Sequence, residues 1–191
     1  MSAWIKMMPV EGARGFLKEM FDKVMTPSGT VDNVMRVHSL RPQSMNGHYT
    51  LYKSVLHHQE LSLPLWFLEA IAVYTSILNR CDYSLMHHYS NFEKLQGEVE
   101  WCRALRKALE AETPEAVLQG KDLALMRYAG KLTKIPGEMV AEDVLSAKCE
   151  GASDEEILEV NQVCAYFNYS NRTLNGLGVS TEGDTIGYYQ K

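Results

Sequence analysis

The sequence lacks long apolar runs, an excess of positive charge and clustered cysteines. Its most apolar stretch, residues 63–78, is interrupted by Glu69 and is shorter than the roughly 20 residues that a membrane-spanning helix needs. The formal net charge of −5 disfavours nucleic-acid binding, which requires clustered Lys and Arg. The first residues do not combine a basic leader with an apolar run. We therefore expect a cytoplasmic protein without membrane or nucleic-acid partners.

The four cysteines are far apart in a chain that is large enough to fold without disulfides. We therefore expect Cys81, Cys102, Cys149 and Cys164 to be free thiols. Cys149 and Cys164 lie among apolar neighbours and are predicted to belong to the core. Cys102 follows a tryptophan on an amphipathic segment and is predicted to be structural as well.

Sequence patterns for cofactor binding are also missing. No Gly-rich phosphate loop or dinucleotide fingerprint is present. The pairs His57-His58 and His87-His88 are adjacent residues, which project about 100° apart on a helix. No set of ligands with metal-site spacing accompanies them. The sequence therefore predicts no bound cofactor and no metal.

Helical periodicity is the main feature that the sequence does contain. Apolar residues recur at helical spacing through most of the chain, while the alternation typical of β-strands is almost absent. This pattern predicts an all-α fold in a single domain over residues 1–191. Within it we place a core motif at 62–95, a C-terminal helical half at 121–178 and a tail at 179–191.

A faint internal repeat is compatible with a second organisation. Glu69 precedes Tyr83-Ser84 by the same spacing at which Glu155 precedes Tyr169-Ser170. A single match of this kind leaves open that the helical bundle consists of two fused helical units.

Capping residues mark two helix starts in these segments. The run Ser153-Asp154-Glu155-Glu156 is a capping box that opens a helix to about Leu174. Asn79 is a candidate N-cap for a helix from Arg80 to Leu95. This assignment separates that helix from the apolar helix before it.

Three side chains with chemical potential follow Asn79. Cys81, Ser84 and His88 are spaced i, i+3 and i+7, so they share one face of a helix. If Asn79 is the cap, Cys81 lies in the first turn, where free N–H groups and the helix dipole favour a thiolate. We therefore expect the pKa of Cys81 to lie below that of the other three cysteines. His88 is suited to exchanging a proton near neutral pH.

Glu69 is the only charged residue of the apolar helix that precedes this segment. On one continuous helix it would lie about 120° from the face of Cys81. A break at Asn79-Arg80 would allow the two helices to face each other. Apolar surroundings favour the protonated form of a carboxyl group, which suits Glu69 to accept a proton.

Each of these residues also has a purely structural interpretation. A cysteine at a helix start is often a small buried residue, and Ser84 can be an ordinary helix hydroxyl. A lone histidine is often structural, and Glu69 can pair with an arginine. Only the combination of the four indicates chemistry.

The combination resembles a known motif. The pattern Glu69, twelve residues, Cys81, Ser84 and His88 is similar to the core motif of the AhpD-like alkylhydroperoxidases in the carboxymuconolactone decarboxylase superfamily. That motif has Glu, then Cys-x-x-Cys-x-x-x-His, at this spacing. The segments that resemble its peroxidase-related branch are 79–83, 87–88, 129–133, 151–156, 166–172 and 177–178.

This resemblance implies an all-α fold, homo-oligomers and a thiol peroxidase that uses two cysteines. In that mechanism the second cysteine attacks the hydroperoxide, the first resolves it, and Glu and His relay the proton. Glu69, Cys81 and His88 match the family pattern, whereas Ser84 stands where the second cysteine is expected. A dithiol–disulfide cycle cannot run between positions 81 and 84, because a serine hydroxyl is not an oxidisable nucleophile.

Three hypotheses follow for the function. In the first, Cys81 reduces a hydroperoxide through a sulfenic acid that an external thiol resolves, with Glu69 and His88 handling the proton. In the second, the chain is a carboxymuconolactone decarboxylase-like enzyme that acts on a small acid without a cysteine. In the third, it is a non-catalytic oligomeric module that binds a small molecule or a partner.

Aromatic residues near both ends, Trp4 and Tyr188-Tyr189, add to the expectation of a homo-oligomer.

Overall fold

A computed structural model describes residues 2–189, and within this range every regular element is a helix. Met1, Gln190 and Lys191 lie outside the described residues, so the first residue of the predicted domain and the end of the predicted tail 179–191 do too. The α-helices are α1 (Gly15–Val24), α2 (Asn33–Arg36), α3 (Pro42–Leu56), α4 (Leu65–Leu78), α5 (Asp82–Gln96), α6 (Val99–Glu110), α7 (Gly120–Lys134), α8 (Ala141–Cys149) and α9 (Asp154–Gly176), and two short 3-10 helices span Pro114–Ala116 and Pro136–Glu138. The predicted all-α fold class is confirmed.

Helix α4 is the centre of the bundle. It is apolar on all sides, and every residue from Phe67 to Ser76 is buried. A helix that is apolar all round is stable only when neighbours cover each of its faces. Helices α5, α6, α7 and α9 pack against it. Glu69, at 0% exposure, is therefore a carboxyl group in the middle of the core.

Helix α9 begins at the capping box that the sequence predicted. The hydroxyl of Ser153 accepts a hydrogen bond from the Glu156 backbone N–H, and the Glu156 carboxylate accepts one from the Ser153 N–H. The helix then runs to Gly176 and packs against α3, α4, α7 and α8. Its buried face supplies Tyr166, Phe167 and Ser170 to the region between α3 and α5.

The turn between α4 and α5 differs from the sequence prediction. Asn79 is the C-cap of α4, and Cys81 is the N-cap of α5, which begins at Asp82. The predicted helix start at Arg80 is wrong because Arg80 adopts a left-handed conformation with φ 51°. The Asn79 side chain does not cap α5, since its amide donates to Asn168 Oδ1 on α9 at 3.1 Å. The break itself, which the orientation of Glu69 required, is present.

The cysteines follow the sequence prediction with one exception. All four are free, Cys164 is buried as predicted, and Cys102, which was predicted to be structural, is buried as well. Cys149 is exposed, so its assignment to the core is wrong. The reason is that α8 is short and fully buries only Ala147, which leaves Leu145 and Cys149 exposed. Cys81 is buried and is described with the site below.

The faint repeat does not extend to the surroundings of its two glutamates. Glu69 is enclosed by the core, whereas Glu155 lies exposed in the first turn of α9. The division into two fused units stays a prediction.

Among residues 2–189, no helix is both long enough and apolar enough to cross a membrane.

Candidate active site

A pocket of about 310 Å³ lies between α3, α5, α9 and the C-terminal tail. Of the four residues that the sequence singled out, Ser84 and His88 line it, whereas Glu69 lies behind His88 and Cys81 is not part of its wall. Most of its polar groups are hydroxyl or ring nitrogen groups. The polar residues that line the pocket include Tyr52, Lys53, Tyr83, His87, Asn91, Tyr166, Ser170 and Tyr188.

His88 and Glu69 form a hydrogen-bonded pair across the α4–α5 packing. Nδ1 of His88 lies 2.6 Å from Oε2 of Glu69, and the side chains are 13% and 0% exposed. The imidazole also packs edge-on against Phe167, with ring centroids 4.5 Å apart. When Nδ1 carries the proton that faces the carboxylate, Nε2 is the free, basic nitrogen of the ring. The pair can therefore accept a proton from, or return one to, a molecule in the pocket.

Asn91 completes this pair and was not found from the sequence. Its amide Nδ2 donates to Oε1 of Glu69 at 3.2 Å, so both carboxylate oxygens have a partner. Asn91 follows His88 by three residues and Ser84 by seven, so the three share one face of α5. That spacing was a signal in the sequence, although the family motif stops at His88.

Ser84 belongs to a buried polar cluster as well as to the pocket wall. Its hydroxyl is hydrogen-bonded to that of Ser76 at 2.9 Å, and Asn171 Nδ2 donates to Ser76 at 3.3 Å. The three residues come from α4, α5 and α9 and are at most 3% exposed. Ser76 therefore links the three helices, and Ser84 is connected to α9 through it.

Cys81 is buried and does not line the pocket. The residue is 1% exposed and lies in a small apolar cluster with Ala3, Val37, Tyr83, Leu174 and Val179. Burial raises the pKa of Cys81 to about 11, and the nearby backbone N–H groups of Ser84 and Tyr83 offset this only in part. The expected low pKa is wrong, because the N-terminal segment and the tail cover the thiol that the sequence placed in an open first turn.

The predicted common face of Cys81, Ser84 and His88 is present only for the last two. Cys81 precedes the first residue of α5 and has non-helical φ and ψ angles of −103° and 89°, so its side chain leaves the helix face. Tyr83 and Leu174 both contact the cluster around Cys81 and line the pocket. The thiol is therefore separated from the pocket by these side chains.

The C-terminal tail closes one side of the pocket. Oδ2 of Asp184 accepts a hydrogen bond from the Tyr83 hydroxyl at 2.5 Å and one from the Asn33 backbone N–H at 3.0 Å. The Tyr188 backbone N–H donates to Oδ1 of Asn91 at 2.6 Å. Since Asn91 also donates a hydrogen bond to Glu69, the tail is connected to the His88–Glu69 pair through Asn91.

Two further polar groups of the pocket wall have unsatisfied atoms. Asp32 Oδ1 and His87 Nε2 are buried and have no hydrogen-bond partner in the described structure. Burial and the neighbouring Asp184 raise the pKa of Asp32 to about 6. Burial and the neighbouring His88 lower the pKa of His87 to about 4.

Within residues 2–189 no group of three or more His, Cys, Asp or Glu side chains is arranged to hold a metal ion.

Comparison with known proteins gives sequence relatives at low identity. No family model matches the chain. It is 27% identical over 180 residues to Sestrin-2 of Mus musculus and 28% identical over 180 residues to Sestrin-2 of Homo sapiens. The alignment includes 93% of this chain but 35% of the mouse protein, so the chain spans about a third of the length of these relatives.

Solved structures show the fold. A peroxidase-related protein with an alkylhydroperoxidase AhpD core from Ralstonia eutropha JMP134 superposes with a TM-score of 0.81 at 19% identity, over 96% of this chain and 94% of the other. A peroxidase-related protein from Silicibacter sp. TM1040 gives 0.81 at 20% identity, over 99% and 96%. The debrominase Bmp8 gives 0.71 at 15% identity, over 96% and 92%. The AhpD-like fold that the motif predicted is confirmed.

Proposed function

We propose that this chain is an AhpD-like oxidoreductase that reduces hydroperoxides bound in its pocket. Cys81 supplies the reducing thiol, and the His88–Glu69 pair handles the proton. The observation that carries the proposal is the 2.6 Å hydrogen bond of this pair at the pocket wall; Tyr83 and Leu174 belong both to that wall and to the cluster that contains Cys81. The AhpD-like fold shared with peroxidase-related proteins adds support.

The reaction balances with one external reductant. The Cys81 thiol gives its proton to His88, and the sulfur attacks the terminal oxygen of the hydroperoxide, breaking the O–O bond. The leaving alkoxide takes the proton from His88, which yields an alcohol and Cys81 sulfenic acid. The sulfur is oxidised and the peroxide is reduced by two electrons. An external thiol then displaces water to form a mixed disulfide, and a second thiol restores Cys81.

The position of Cys81 sets two conditions on this reaction. Tyr83 and Leu174 must separate before the thiol can meet a molecule in the pocket. The pKa of about 11 also keeps the thiol protonated at neutral pH, so the reaction depends on His88 as the base. Both conditions predict slow turnover. Ser84 is expected to slow turnover further, because it cannot serve as a second thiol that resolves the sulfenic acid.

A second candidate function is favoured by the same geometry. The pocket wall contains an acid–base pair, several hydroxyl groups and the cation Lys53, but Cys81 is not in it. This set suits proton transfer on a small organic acid: Lys53 would face the carboxylate of the substrate, and His88 would move the proton. Such chemistry corresponds to the carboxymuconolactone decarboxylase-like alternative and needs no thiol.

Matched variants separate the two functions. Hydroperoxide consumption is measured with a dithiol reductant for the wild type, Cys81→Ser, His88→Gln and Cys149→Ser, the last as the exposed-thiol control. The proposal predicts that Cys81→Ser and His88→Gln lose activity while Cys149→Ser keeps it. Equal activity in Cys81→Ser and the wild type would refute it. Absence of consumption by the wild type would also refute it and would direct the search to small acids and to a binding role.

A further inference from the structure

A continuous line of hydrogen bonds leads from the pocket to the surface at the start of α3. The Tyr166 oxygen lies 2.8 Å from Nε2 of His48, and Nδ1 of His48 lies 3.1 Å from Nε2 of His38. Nδ1 of His38 lies 3.3 Å from the hydroxyl oxygen of Ser44. Tyr166, His48 and His38 are 4%, 2% and 9% exposed, whereas Ser44 is exposed to solvent.

The outer end of this line fixes the position of every proton in it. Ser44 donates its only hydroxyl proton to the backbone carbonyl of Arg41 at 2.8 Å, so toward His38 it can only accept. His38 must then carry its proton on Nδ1 and accept at Nε2. His48 in turn must carry its proton on Nδ1 and accept at Nε2, where the Tyr166 hydroxyl donates.

We propose that Tyr166, His48, His38 and Ser44 form a proton relay that connects the pocket with solvent. The hydrogen-bond order described above does not depend on which reaction occurs in the pocket. The use of the relay during turnover rests on the proposed function: the external thiol loses its proton through the relay as its sulfur attacks Cys81 sulfenic acid, and the hydroxide that is released regains a proton through the relay and leaves as water.

The relay works without a charged intermediate that persists. When the Tyr166 oxygen receives a proton from the pocket, its own proton moves to Nε2 of His48, and each ring passes on the proton from its Nδ1. Ser44 releases the last one to water. Every group gains one proton and loses one, and no bond between heavy atoms changes. A proton that later moves inward returns both rings to their first tautomer.

The surroundings of the two imidazoles suit transfer rather than storage of protons. Burial and the neighbouring His38 lower the pKa of His48 to about 3, and burial lowers the pKa of His38. Both rings are therefore neutral near pH 7. His48 also packs edge-on against Tyr166, with ring centroids 5.4 Å apart. Simple packing at this place would be served by apolar rings, which need no hydrogen-bond partners.

Two measurements test the relay without any turnover. Nitrogen-15 chemical shifts of the histidine rings at pH 7 are expected to show Nδ1–H tautomers for both His38 and His48. The Nδ1–H of His48 is expected to exchange with D2O faster than the backbone amide of the same residue, since the relay reaches solvent without opening α3. An Nε2–H tautomer in either ring, or ring exchange as slow as that of the amide, would overturn the proposal.

Variants test its use in turnover. In His48→Gln the amide can still accept from Tyr166 and donate to His38, but it cannot pass a proton on. We expect kcat to fall about tenfold, below the 10²–10⁴-fold effect of a direct acid or base, with an unchanged KM and a larger solvent isotope effect. His58→Gln, at an exposed histidine outside the relay, is the matched control. Wild-type kcat in a folded His48→Gln protein would overturn the role in turnover. If the wild type does not turn over hydroperoxide, the proposed function fails, and the tautomer and exchange results still decide the relay.

Discussion

Ser84 lines the pocket, whereas Cys81, three residues earlier in the chain, lies behind the pocket wall in an apolar cluster. The two residues occupy the positions of the paired cysteines in the AhpD-like motif. In this chain the residue that meets the pocket has a hydroxyl group, and the residue with a thiol is covered by Ala3 and Leu174. Turnover is therefore expected to be slow, because the thiol must become accessible before it can react.

A thiol at position 84 should increase hydroperoxide reduction. Ser84→Cys places sulfur in the wall that contains His88, at a cost of about 1 kcal/mol for the lost hydrogen bond to Ser76. We expect faster turnover with a dithiol and a reducible disulfide to Cys81, which non-reducing peptide mapping would detect. Ser84→Ala is the matched control and should form no disulfide. A disulfide without faster turnover would mean that the pocket does not bind hydroperoxides.

The reactivity of Cys81 toward an alkylating reagent should depend strongly on pH. Burial raises its pKa from 9.0 to about 11, so iodoacetamide should label exposed Cys149 first at pH 8, and labelling of Cys81 should increase up to about pH 11. The contribution of the protonated, buried thiol to the free energy of unfolding is fully present below pH 9.0 and is lost as the pH rises through about 11. Mass spectrometry of pulse-labelled protein checks the order, and first labelling of Cys81 at pH 8 would contradict it.

Replacing the buried carboxylate should impair the reaction more than the fold. Glu69→Gln keeps the volume of the side chain but removes the charge that orients and supports His88. We expect kcat to fall by about 10²-fold and the free energy of unfolding to fall by about 1–3 kcal/mol. The control is Glu155→Gln, at an exposed glutamate in the first turn of α9, which should leave kcat unchanged and lower the free energy of unfolding by less than about 1 kcal/mol. Unchanged kcat in Glu69→Gln would exclude the pair from the reaction.

The surface carries apolar side chains that an oligomer would cover. Trp4, Leu145, Leu158 and Tyr188 are 74%, 53%, 55% and 51% exposed. We predict a symmetric homo-oligomer, a dimer or a multiple of a trimer. Sedimentation velocity at micromolar concentration measures the mass directly. A single species at the 21.6 kDa of one chain would show that this prediction is wrong.

The sequence predicted the features that depend on local signals. The capping box at Ser153 and the apolar α4 follow from residue types within a few positions of each other, and so does the break that lets Glu69 reach His88. The burial of Cys81 could not be predicted in this way, because Ala3 and Val179 cover it from the two ends of the chain.

The relay shows the same limit. His38 lies in the turn after α2, His48 lies on α3 and Tyr166 lies on α9. No spacing in the sequence therefore connects the three residues. The hydroxyl of Tyr166 ends a hydrogen-bond line that exists only after α3 and α9 pack together. Asn91 was closer to prediction, because it shares a helix face with Ser84 and His88.

The most direct test of the central claim compares two thiols of the same molecule. The wild type and His88→Gln are exposed to a small alkyl hydroperoxide at pH 7.5, and sulfenic acid at Cys81 and Cys149 is trapped and quantified by mass spectrometry. Because the pocket holds the hydroperoxide near His88, we predict that Cys81 is oxidised faster than exposed Cys149 in the wild type, the reverse of the alkylation order. In His88→Gln, oxidation of Cys81 should be lost while that of Cys149 is unchanged. Oxidation of Cys149 alone in the wild type, or oxidation of Cys81 that does not depend on His88, would contradict the account.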